Sequence, residues 1–85
     1  MQLSLNVRQG RLGRWMMYCT PAMATEPELG PDVNFGTLEE LTAALDEAGI
    51  NRGRYAPTIR AAKDGYGSGF LVSRIEATKL ELLDT

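Results

Sequence analysis

Cys19 is the only thiol in the chain, and there is no histidine. A cysteine attacks as the thiolate, so it needs a neighbour that lowers its pKa. The nearest base on the same strand region is Arg14, which is a poor activator at that distance. The missing histidine removes the commonest general base, the usual partner of a Ser or Cys nucleophile, and most zinc sites. Cys19 is therefore expected to be a small buried hydrophobe at a strand end.

The carboxylates are no better placed for chemistry. Glu39-Glu40 and Asp46-Glu47 are sequence neighbours, and neighbours on a helix point about 100° apart, so neither pair converges on one substrate. Helix capping and solvated faces account for them. Glu26, Glu28 and Asp32 lack the spacing and turn glycine of a calcium loop. Gly65-Tyr66-Gly67-Ser68-Gly69 has the glycine content of a phosphate loop. Such loops follow a strand and open a helix, whereas this one precedes a strand and no P-loop Lys-Ser/Thr follows. It reads as a permissive turn. No catalytic residue, metal site or cofactor is expected, and the chain is read as a non-enzyme.

Two basic groups remain as candidate binding residues. Arg8, Arg11 and Arg14 lie on or beside a hairpin turn and run into Trp15-Met16-Met17-Tyr18. Large adaptable side chains beside arginine are enriched at interface centres. Arg11, Arg14, Trp15, Met17 and Tyr18 are accordingly the expected contact surface for a protein partner or a second copy of the chain. The competing expectation is that Trp15 and the methionines are core, since the chain has only six aromatic residues. The second group is Arg52, Arg54, Arg60 and Lys63, with Tyr55 among them, which could contact phosphates and stack on unpaired bases. A sequence pI near 5.0 opposes that use. The expected function is a small interaction or regulatory module. Single-stranded nucleic-acid binding through the basic 52–63 segment is the alternative.

Charge is segregated along the chain. Residues 1–18 hold three arginines and no acid, and residues 20–50 hold seven acids and no base. Residues 51–65 then hold four bases against Asp64 alone. Either these blocks fold side by side and neutralise, or they drive association of copies, positive hairpin against negative helix.

Eighty-five residues suit one domain, residues 1–85. No apolar run is long enough to span a bilayer, and Met1 opens directly into an alternating stretch with no leader-like pattern. With a single cysteine no intrachain bridge can form, and a reducing, cytoplasmic setting is expected, with no membrane association.

The elements follow from periodicity. Leu3, Leu5 and Val7 alternate with Ser4, Asn6 and Arg8, as in a half-buried strand. Gln9-Gly10 supplies a turn, and Leu12 to Cys19 returns as the second strand of a hairpin. A Pro-rich acidic loop is expected over 20–35. Thr37 and Glu40 form a capping box, Leu38, Leu41, Ala44, Leu45 and Ala48 share one helical face, and Gly49 stops the helix. A second helix is expected near 55–63 and a third strand near 69–73. A capping box at Ser73 and Glu76 opens a helix near 74–83. The alternative makes the 58–82 segment a β-hairpin, leaving one main helix. The fold class is α+β: a small antiparallel sheet packed on one face by helices near 38–48, 55–63 and 74–83.

Overall fold

A computed structural model describes residues 3–21 and 33–82. Four antiparallel strands form one sheet, β1 (Leu3–Gln9), β2 (Trp15–Pro21), β3 (Val33–Phe35) and β4 (Ser68–Val72), in the order β3-β2-β1-β4. Three helices, α1 (Leu38–Glu47), α2 (Arg52–Lys63) and α3 (Arg74–Lys79), complete it. The α+β class and the sheet-on-helix packing match the expectation.

Period-two alternation decides which sheet face is dry. Leu3, Leu5 and Val7 of β1 and Trp15, Met17 and Cys19 of β2 are buried, while Ser4, Asn6, Met16, Tyr18 and Thr20 between them are only half-buried. Val72 joins the same core. Over that face α1 crosses β2 and β3, α2 crosses β1 and β4, and α3 touches β1. They contribute Leu41, Leu45, Tyr55, Ile59, Ala62 and Ala77 to one continuous cluster. Burying each Leu or Ile stabilises by roughly 1.5–3 kcal/mol, so this cluster is the main favourable term.

Local signals explain α1 fully. The Thr37 hydroxyl accepts from the Glu40 backbone N–H at 3.1 Å. At the far end Gly49 takes φ +82, and the Ile50 N–H folds back onto the Leu45 carbonyl at 3.1 Å. The α2 helix is the opposite case. Its N-cap Asn51 makes no side-chain bond, its first turn carries Arg52 and Arg54 at the positive dipole end, and Pro57 lies inside it. Burial of Tyr55, Thr58, Ile59 and Ala62 holds it instead. It begins at Arg52, earlier than the expected 55, because that burial outweighs weak propensity.

Three further expectations are corrected. A short strand, β3, stands at 33–35 inside the segment read as loop, paired to Trp15–Met17; residues 22–32 of that loop lie outside the described residues. The 58–82 segment is not a hairpin, since β4 pairs with β1 through Leu3↔Val72 to Val7↔Ser68. The last helix stops at Lys79 rather than 83. Glu81 adopts φ +59 there, and the Leu82 N–H closes on the Ala77 carbonyl at 3.0 Å, ending the helix as a glycine would.

Gly69 marks the tightest strand contact. A Cβ there would stand 2.9 Å from the Leu5 carbonyl oxygen and 2.5 Å from Asn6 Oδ1. The backbone oxygen cannot step aside, so Gly69→Ala is expected to destabilise by about 1–3 kcal/mol. Gly53, on the exposed side of α2 with open space around it, is expected to behave oppositely: Gly53→Ala should stabilise by about 0.5–1 kcal/mol. Urea unfolding of both variants beside the parent checks the pair, and equal midpoints would contradict both assignments.

Candidate functional site

Residues 10–14 connect β1 to β2, and a tight turn over Arg11–Arg14 lies within that connection. The Gly10 N–H donates to the Arg14 carbonyl at 2.6 Å, and the Arg14 N–H to the Arg11 carbonyl at 3.3 Å. The two central residues, Leu12 at φ 61, ψ 30 and Gly13 at φ 70, are both left-handed. That is the type I′ turn, whose twist matches right-twisted strands. Its first central position favours Asn, Asp or Gly, whereas a leucine there carries strain of roughly 1–2 kcal/mol. Leu12 is also 98% exposed, so no packing offsets the strain.

Near this apolar tip stand Arg8, Arg11 and Arg14, all exposed. None of them forms an ion pair among the described residues. The site is an aliphatic knob flanked in the turn by Arg11 and Arg14, with Arg8 further down β1 opposite Met16. Arg8 also borders a cleft of about 510 Å³ between β1 and the 65–69 loop. Asn6, Tyr18, Tyr66 and Ser68 line it with the loop glycines, and no carboxylate does. Tyr66 stands 71% exposed at its rim.

The five residues expected as a contact surface are thus divided. Arg11 and Arg14 are at the tip, and Tyr18 lies half-buried on the outer sheet face. Trp15 and Met17 are not surface residues; they point to the opposite face and are 4% and 0% exposed in the core. Alternation along β2 forbids Trp15, Met17 and Tyr18 from sharing one surface. Leu12, expected to open the second strand, stands instead in the turn, because β2 begins only at Trp15.

The basic α2 set is divided too. The Arg54 guanidinium grips Glu76 through two bonds of 2.6 and 3.1 Å, donates to the Leu71 carbonyl at 3.0 Å, and lies 5.9 Å from the Phe70 ring centroid. Arg54, together with the Ser73 backbone N–H, holds the Glu76 carboxyl down at about 2. Tyr55 is buried, and its hydroxyl donates to Asp46 at 2.8 Å. Both are thus engaged within the fold, although the Arg54 side chain keeps 40% of its surface exposed. Arg52, Arg60 and Lys63 line a groove of about 300 Å³ between α1 and α2, beside Leu38, Thr42 and Ile59.

Cys19 is buried, and burial pushes its thiol up to about 11, far from a nucleophilic thiolate. Among the described residues no group of three or more His, Cys, Asp or Glu could hold a metal ion, and no helix is long and apolar enough to cross a membrane. No family model, curated protein or solved structure matches this chain.

The Arg54–Glu76 grip carries a pH signature. Glu76 binds its proton less readily folded than unfolded, so its contribution is present above about 4.5 and is lost as pH falls towards about 2. Melting temperature should therefore drop across that window in the parent, and Glu76→Gln should drop less steeply. Parallel curves for the two proteins would show that the grip does not stabilise the fold.

Proposed function

We propose that this chain is a non-enzymatic interaction module that engages a protein partner through the tip of its β1–β2 hairpin. The observation that carries the reading is Leu12. An apolar side chain stands wholly in water, in a backbone conformation that penalises it, with no contact inside the chain. Outliers of this kind cluster where a residue serves something other than its own fold. A leucine anchored in a partner's pocket, with Arg11 and Arg14 on a polar rim, has the anatomy of a protein contact. The partner's surface would be acidic around an aliphatic hollow.

A non-enzymatic role is supported by the protonated, enclosed Cys19, the absence of histidine, and the lack of a His/Cys/Asp/Glu cluster among the described residues. The unbridged cysteine favours a reducing, cytoplasmic setting. Single-stranded nucleic acid on the 52–63 segment has less support, because Arg54 and Tyr55 are engaged inside the fold.

Leu12→Asn tests the reading, because asparagine suits the turn and lacks the knob. Its folding stability should rise by about 1 kcal/mol. At the same time, a photo-crosslinker placed at exposed Gln9 should lose in the Leu12→Asn background the partner it captures in the parent. An identical crosslinking pattern in the two backgrounds would refute the tip as the contact site.

A further inference from the structure

The two long helices carry opposite charge, and their only electrostatic link among the described residues is at one end, where Asp46 accepts from the Tyr55 hydroxyl and lies within reach of the Arg52 charge. Helix α1 bears Glu39, Glu40, Asp46 and Glu47 with no base, and α2 bears Arg52, Arg54, Arg60 and Lys63 with no acid. Yet among the described residues the one salt bridge is Arg54–Glu76, which joins α2 to α3. The acids of α1 and the bases of α2 lie on neighbouring helices, and among the described residues no ion pair joins them.

Their outward stripes share a pattern. On α1, Glu39, Ala43 and Glu47 recur every four residues, and all three are exposed. On α2, Arg52, Ala56 and Arg60 recur every four residues, with both arginines exposed and Ala56 half-buried. Residues four apart share a helix face, and each stripe spans about 12 Å. Each reads charge, alanine, charge, with opposite sign. The small central residue allows close approach, and the sequence of charges is the same in either direction.

We infer that a second copy of this chain docks on the helix layer, α1 of each copy lying on α2 of the other. A two-fold axis makes the contact reciprocal and closed, so it gives a dimer and not a chain of copies. Each Glu39–Ala43–Glu47 stripe then meets an Arg52–Ala56–Arg60 stripe. The groove between the helices, with Leu38 and Ile59 in its wall, is covered in the process. The hairpin tip lies outside this contact, so the dimer neither requires nor excludes the tip's partner.

Exposed ion pairs are individually weak and are screened by salt, so the dimer is expected to loosen by about tenfold or more between low and high ionic strength. Sedimentation equilibrium reads this directly as a doubled mass that falls with added salt. Charge reversal supplies the decisive arm. Arg52→Glu with Arg60→Glu makes both helices acidic, and Glu39→Arg with Glu47→Arg makes both basic. Each double variant alone should be monomeric, and an equimolar mixture should recover the dimer mass. Recovery also shows that both variants fold. A parent that stays monomeric at low salt up to near-millimolar concentration overturns the inference, even if it then binds an acidic peptide or an oligonucleotide. So does a mixture that stays monomeric while both variants show native circular dichroism, or a double variant that dimerises alone.

Discussion

Slipping β1 against β2 by one residue would turn Trp15, Met17 and Cys19 out into water and draw Met16, Tyr18 and Thr20 under the helices. The register that prevents this, Gln9↔Trp15 through Leu3↔Pro21, is closed by residues 10–14, where one extra residue at Gly10–Arg11 joins the tight turn at 11–14 to the ladder. That turn must hold two left-handed residues, so the geometry that keeps the core dry also lifts Leu12 clear of the body. The strain at Leu12 cannot relax by shifting the strands, because the buried face of β2 holds them in place. Tip and core are two results of one constraint.

At the other edge of the sheet, Arg54 organises three elements. It reaches from α2 to the Leu71 carbonyl on β4, to Glu76 on α3, and over the Phe70 ring. The edge carbonyl it occupies is one that an unpaired strand would otherwise offer to a stranger. Glu76 in turn caps its own helix by accepting from the Ser73 N–H at 2.9 Å. A residue that resembles a phosphate contact in the sequence is therefore a structural clamp. Only its distance from Glu76 along the chain hides this.

Local rules made much of the fold legible. The alternation at 3–7, the Thr37–Glu40 and Ser73–Glu76 caps and the Gly49 stop are all written within a few residues. What escaped depends on contacts made across the fold. Three residues amid prolines carry too little pattern to declare β3, which exists because Trp15–Met17 offered it an edge. The Trp15-Met16-Met17-Tyr18 run is apolar on both faces, so its sequence could not say which members were core. The start of α2 was obscured by Gly53, Pro57 and two arginines, all of which argue against a helix locally. At the hairpin end the sequence makes Leu12 the first residue of the second strand, and only the folded turn, with β2 starting at Trp15, lifts it off the sheet.

The single thiol has a use beyond packing. Cys19 sits on β2, one of the two interior strands, with 2% of its surface accessible. A reagent in solution can meet that sulfur only when the sheet opens, so the rate of modification under native conditions reports how often that opening occurs. The chain thus carries its own stopwatch for unfolding, with no competing cysteine to blur the reading.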